Sequence, residues 1–127
     1  MPLIQPFRGL RPLPGHAADV AAPPYDVLSS AEARARAAGK PFSFLHISKA
    51  EIDLPVDTDP YSSAVYAQSA VNFRRLIADG VLIRDAAPCY YAYRLTMGEH
   101  VQTGIVAAAS VADYDSTRIR KHEFTRP

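Results

Sequence analysis

One cysteine, Cys89, stands among the 127 residues. A single thiol cannot build an internal disulfide framework, nor can it supply a structural zinc cluster by itself. No apolar run approaches the ~20 residues that a bilayer-spanning helix needs. Fourteen Lys and Arg against thirteen Asp and Glu leave a net charge of only +1, so no basic field marks the chain as a nucleic-acid binder. The stretch from Met1 to Arg11 has no apolar core behind a basic start, which predicts that no secretory signal is present. Internal repeats and low-complexity tracts are missing. So are a P-loop, a dinucleotide fingerprint and any His-x-His or His-Glu-x-x-His pair. What is present is a globular composition, 48% hydrophobic and 21% charged, in a chain long enough to bury a core without staples. The expectation is a soluble, cytoplasmic protein forming a single domain over residues 1–127.

Proline is distributed unevenly. Nine of the eleven prolines precede residue 61. Each fixes φ, removes a backbone donor and pushes its predecessor toward extended geometry. The first half should therefore consist of short extended pieces and turns around one helix, with longer elements in the second half.

That first helix is announced by Ser29-Ser30-Ala31-Glu32, a reciprocal capping box. Alanines at 31, 33, 35, 37 and 38 sustain it and Gly39 closes it. Phe42 to Ser48 reads as a strand with Phe42, Phe44 and His46 on one face, and the acidic stretch Lys49 to Asp59 reads as a loop. A second helix is predicted over Pro60–Asp79, with Asp59 as N-cap and Gly80 as terminator. Its apolar stripe is Tyr66, Ala70, Phe73 and Ile77, widened by Val65 and Leu76. Val81 to Arg84 reads as a short strand. Cys89 to Met97 and His100 to Val111 flank Gly98-Glu99, a Gly-X hairpin connection. Asp113 to Ser116 reads as a turn, and Arg118 to Pro127 begins as a polar strand. Together these predict a mixed α/β domain of the α+β type: a mostly antiparallel sheet with the Cys89–Val111 hairpin at its centre and one long helix on a face.

Three segments carry residues suited to chemistry. Arg118, Arg120, Lys121, His122, Glu123, Thr125 and Arg126 combine cations, a hydroxyl and a His-Glu pair. Such a set suits a phosphate or carboxylate ligand, with Glu123 as a general base. Against this, neighbours in a strand point to opposite faces, and a solvated basic edge strand explains the same residues. In Ala21-Ala22-Pro23-Pro24-Tyr25-Asp26-Val27 two prolines stiffen the backbone that presents Tyr25 and Asp26. There Asp26 would coordinate Mg²⁺ or orient a hydroxyl nucleophile, or else simply form an Asp turn beside a buried tyrosine. In Pro6-Phe7-Arg8-Gly9-Leu10-Arg11-Pro12, Arg8 and Arg11 would hold an anion while Gly9 permits close approach. Alternatively, Phe7 and Leu10 anchor the N-terminus and the arginines face water. His46 reads as a hydrogen-bonded core histidine, His100 as exposed and Cys89 as an inert buried thiol. Tyr90, Tyr91 and Tyr93 offer stacking faces for a base, or core and rim packing. No metal site is predicted.

These segments, together with Ser43-Phe44-Leu45-His46, Asp59-Pro60-Tyr61, Gly80-Val81-Leu82, Tyr91-Ala92-Tyr93-Arg94, Thr103-Gly104 and Lys121-His122-Glu123-Phe124-Thr125-Arg126-Pro127, form a pattern in order along the chain. The pattern resembles the uncharacterised bacterial and archaeal family catalogued as domain of unknown function 1015. The resemblance supplies no activity. It implies longer family members in which the last motif runs on, so this chain is expected to be an N-terminal fragment. A weaker likeness to the ParB/sulfiredoxin-like fold group, which includes free-serine kinases, implies Glu123 as base, with Arg8, Lys121 and Arg126 on the phosphates of ATP or ADP with Mg²⁺. Phosphoryl transfer rests mostly on positioning and electrostatics, which a sparse polar cluster can supply.

The leading expectation is an anion- or nucleotide-binding domain whose site gathers Arg8, Arg11, Tyr25, Asp26, Lys121, His122, Glu123, Thr125 and Arg126. On this reading it transfers a phosphoryl group to a small hydroxyl substrate. The alternatives are a ParB-like nucleic-acid module using the basic tail and the tyrosines, and a truncated piece that is inactive or serves assembly alone.

Overall fold

The computed structural model describes residues 3–120. The Lys121-to-Arg126 candidates, with His122, Glu123 and Thr125 among them, lie outside the described residues, as does most of the predicted terminal strand. Backbone contacts gather into two compact units: Leu10–Ile83, and the segment up to Gly9 together with the chain from Arg84 onward. The fold is mixed α+β. Among the described residues the strands fall into three two-stranded pairs rather than one sheet; Ile4–Gln5 with Ala108–Ala109, and Tyr91–Met97 with His100–Val106, are antiparallel.

Around Leu10–Ile83, strand β2 (Leu10–Pro12) pairs with strand β3 (Leu82–Arg84), and the Leu13 amide donates to the Val81 carbonyl at 2.9 Å. A one-turn helix α1 (Ala17–Val20) follows. Helix α2 (Ser30–Ala37) starts with the predicted capping box, in which the Ser29 hydroxyl accepts from the Glu32 amide while Glu32 accepts from the Ser29 amide. Gly39 adopts φ +70° just beyond its end, a conformation that costs glycine nothing. Only Ala33 and Ala37 of this helix are buried, which is the thin contact its composition implies.

Phe42 to Ser48 is not a strand. It forms a turn and then the short helix α3 (Leu45–Ser48). The Phe44 amide is drawn to the Val20 carbonyl, and the buried Ser43 hydroxyl accepts from the Leu45 amide. One distant and one local bond thus start a helical turn where alternation alone reads as strand. The predicted loop after it contains a 3-10 turn, Ala50–Asp53, in which Ala50, Glu51 and Ile52 are all buried.

Helix α4 (Ser63–Ala78) begins three residues later than predicted, with Ser62 rather than Asp59 at the N-cap. Asp59 instead forms an Asx turn, its Oδ1 accepting from the Tyr61 amide at 2.9 Å. Gly80 closes the helix at φ +72° as expected. The inward face is Val65, Asn72 and Leu76, whereas Tyr66, Phe73 and Ile77 are exposed. Polar Asn72 decides this rotation. Its Nδ2 donates to the His46 carbonyl at 2.6 Å and to Asp53 Oδ2 at 2.7 Å, so the helix turns the asparagine, not the aromatic stripe, toward α3 and the 3-10 turn. Two small cores result: Val20, Leu76, Val81 and Leu82, and Ala33, Ala37, Leu45 and Ile52.

In the other unit, β1 (Ile4–Gln5) pairs with Ala108–Ala109. The predicted hairpin is present as β4 (Tyr91–Met97) and β5 (His100–Val106), paired from Tyr91–Val106 to Met97–His100. Gly98 takes φ +59° in the connection, the left-handed geometry that the turn requires. The sequence Asp113 to Ser116 is not a simple turn but part of helix α5 (Val111–Asp115), capped by the Ser110 hydroxyl.

Candidate functional site

The candidate residues that the structure describes fall in both units. Arg8 and Gly9 belong to one unit, and Arg11, Tyr25 and Asp26 to the other. Arg8 donates its Nε proton to the Asp85 carbonyl at 2.7 Å. Gly9 does admit a close neighbour, but the neighbour is Tyr91: the Gly9 amide donates to the Tyr91 hydroxyl at 2.6 Å. That hydroxyl in turn donates to the Asp85 carboxylate. The Asp85 bond and burial hold the Tyr91 phenol above its ordinary pKa, outweighing the Gly9 amide, which acts the other way. Phe7 packs its ring 5.1 Å from that of Tyr91, so it anchors its segment as predicted. This cluster is a structural knot. Cys89, expected to be buried, is exposed; Phe7 and Cys89 exchange backbone hydrogen bonds, which fixes the strand and leaves the thiol outside.

In Leu10–Ile83 the proline-stiffened segment ends in a 3-10 turn, Tyr25–Val27. Asp26 is exposed on it. Tyr25 is 62% exposed, which overturns the buried-tyrosine alternative. Its ring lines a pocket of about 310 Å³, with Tyr61 and Tyr66 contributing two more phenols and Lys49 and Glu51 the charges. The pocket is assembled from four pieces of chain. The Pro23-Pro24 corner brings Tyr25, the Asp59-Pro60 turn brings Tyr61, α4 brings Tyr66, and the end of α3 with the 3-10 turn brings Lys49 and Glu51.

Glu51 is only 4% exposed. Its Oε1 accepts from the Ser30 hydroxyl at 2.8 Å and lies 3.1 Å from Lys49 Nζ. Burial pushes its carboxyl upward, but the Ser30 hydroxyl, its own backbone amide and Lys49 outweigh that, leaving it below its ordinary value. Glu51 is therefore held as a carboxylate. Arg34 fixes the turn from beneath: its two terminal nitrogens donate to the carbonyls of Glu51, Ile52 and Leu54 at 2.7–2.8 Å.

The His46–Asp53 pair of this unit is structurally employed. His46 Nδ1 lies 2.9 Å from both Asp53 oxygens, and Nε2 lies 3.1 Å from the Lys40 carbonyl. Both ring nitrogens are occupied, so His46 clamps α3 to the 3-10 turn, as its core reading anticipates.

Lys49 and Glu51 escaped the sequence reading because they fell in a presumed loop. The signal was slight: a glutamate between the apolar Ala50 and Ile52. Tyr61 and Tyr25 were visible as members of proline-containing motifs, but their meeting in space was not. Among the described residues no group of three or more His, Cys, Asp or Glu side chains is placed to hold a metal ion, and no helix is long and apolar enough to cross a membrane.

Residues 4–127 match the family described as "Protein of unknown function (DUF1015)". No curated protein and no solved structure matches the chain.

Proposed function

From the premise that the chain belongs to the DUF1015 family, whose description assigns no activity, we propose that it is a small-molecule-binding domain. Its site is the tyrosine-rimmed pocket of Leu10–Ile83. The ligand carries an anionic group, a carboxylate or a nucleotide's phosphate, that meets Lys49, and a flat or apolar portion that lies against the phenol rings.

The observation that carries this is the joining of three exposed tyrosines to an ion pair with one buried partner in one concavity. Tyr25, Tyr61 and Tyr66 are 62%, 82% and 62% exposed. Aromatic rings left this open contribute little to folding, yet they supply large, stiff contact area to a ligand. The Lys49–Glu51 pair costs desolvation to bury and could be replaced by apolar packing without loss of stability. Its position on the pocket wall gives it a use.

The phosphoryl-transfer form of this proposal makes Glu123 the base and sets Lys121 and Arg126 on phosphates, with ATP or ADP and Mg²⁺. Its support is the resemblance of the Lys121-His122-Glu123 stretch. Isothermal titration of the full chain with ADP, with and without Mg²⁺, and with a panel of small carboxylates tests the binding reading. The expected result is saturable heat that falls about tenfold or more in affinity, roughly 1.4 kcal/mol, in Lys49→Gln and in Tyr61→Ala. Absence of heat with every probe at millimolar concentration overturns it.

A further inference from the structure

We infer that the pocket selects a zwitterion, a small molecule with an ammonium and a carboxylate on neighbouring atoms, of which an α-amino acid is the simplest chemical class. The inference rests on the pocket being the binding site, and names what that site prefers.

Lys49 and Glu51 lie two residues apart, with Nζ and Oε1 3.1 Å apart, and both line the pocket wall. An ammonium carries three donors and Glu51 engages one, so two remain. Ser30 and Lys49 both bond to Oε1 of Glu51, and its own backbone amide also bonds the carboxylate, which as an ion offers about four lone-pair sites. The wall therefore presents a donor set with protons to spare beside a carboxylate with acceptor capacity to spare, with zero net charge.

Each kind of ligand meets that pattern differently. An anion attracted to Lys49 is brought beside the Glu51 carboxylate, and a cation attracted to Glu51 is brought beside Lys49. In a partly desolvated pocket such like-charge neighbours are expensive. A zwitterion laid antiparallel to the pair places its carboxylate on Lys49 and its ammonium on Glu51, so every charge has an opposite neighbour and the site stays neutral. Glu51 is suited to this because Ser30 and the Arg34-braced backbone fix it in place before the ligand arrives. Pre-fixed polar groups favour a ligand that satisfies them over one that leaves them unpaired. The tyrosine rings, with Val65 and Pro60 on the same wall, would cover the ligand's side chain.

The test titrates the full chain with the twenty standard L-amino acids. The tightest binder is then compared with its decarboxylated amine, its deaminated carboxylic acid, and ADP. The expected order is the amino acid at least about tenfold tighter than the amine, the acid or ADP. Glu51→Gln should bring the amino acid and the deaminated acid to within about threefold of each other, a convergence of roughly 0.7 kcal/mol. Because Glu51 is buried, Tyr61→Ala serves as the variant safe for folding and should weaken all probes alike. If the deaminated acid or ADP binds the wild-type chain as tightly as the amino acid, and Lys49→Gln abolishes that binding, the zwitterion inference is wrong while the pocket stands. If no probe binds, both fall.

Discussion

Replacing Asn72 with leucine tests the packing that builds the site. Asn72 is 2% exposed, and its Nδ2 donates both to the His46 carbonyl and to the Asp53 carboxylate, while Oδ1 accepts from Gln68 Nε2 at 3.0 Å. The first bond is neutral and contributes about 1 kcal/mol; the second, to a charged acceptor, contributes about 1.5–3 kcal/mol. Gln68 can turn toward water, so the third adds about 0.5 kcal/mol or less. Leucine has a similar volume, which keeps the cavity cost small, but it sets methyl groups against a carboxylate that has lost a donor. The sum is about 2.5–4.5 kcal/mol, a large share of the roughly 5–15 kcal/mol that holds a domain of this size. In urea, with a slope of about 2 kcal/mol per molar, the midpoint should fall by about 1.2–2.2 M. Gln68→Ala, which removes only the outer bond, should shift it by about 0.3 M or less. A loss under about 1 kcal/mol for Asn72→Leu at unchanged slope would refute the reasoning, because it would mean that Asp53 and the His46 carbonyl find water as readily as they find the asparagine.

Three further outcomes follow from the same physics. A Cβ on Gly9 would sit 2.6 Å from Tyr91 Oη and 2.8 Å from Cζ; Gly9→Ala should therefore displace the ring and cost about 1–3 kcal/mol in thermal unfolding, with Tyr91→Ala relieving part of the loss in the double variant. The Tyr91 phenol is held above its ordinary value of 10.0 chiefly by Asp85, so ultraviolet titration should show a late-ionising tyrosine that Tyr91→Phe removes, and Asp85→Asn should bring it earlier. The folded-state pKa of Glu51 lies below its ordinary 4.5, so its stabilising contribution is complete above that value and is lost as pH falls through the lower folded value. Urea midpoints measured from neutral pH down to about pH 3 should thus drop less steeply in Glu51→Gln than in the wild-type chain; equal slopes would contradict the assignment.

The legible parts of the fold were those written in short-range chemistry. Ser29 and Glu32 specify a capping box because both partners lie within one helical turn. Gly39, Gly80 and Gly98 mark left-handed positions because other residues pay a steric cost there. The hairpin register follows from its two-residue connection. Reading failed where a distant partner overrode a local pattern. Phe42 to Ser48 alternates like a strand, yet the Phe44 amide reaches the Val20 carbonyl and a helical turn forms. The aromatic stripe of α4 looked like its buried face, yet Asn72 had two acceptors waiting and took that place.

The same division runs through the site. Sequence alone determined the mixed α+β class, the family, and the motifs that present Tyr25 and Tyr61, because each depends on residues adjacent in the chain. Only the tertiary structure decided that those tyrosines share a wall with Tyr66, Lys49 and Glu51. It also decided that Arg8 is spent on the Asp85 carbonyl, and that the His46–Asp53 pair is a clamp. Burial and pairing are set by what packs from elsewhere. A glutamate in a presumed loop becomes a fixed buried carboxylate only once Ser30, Lys49 and Arg34 close around it.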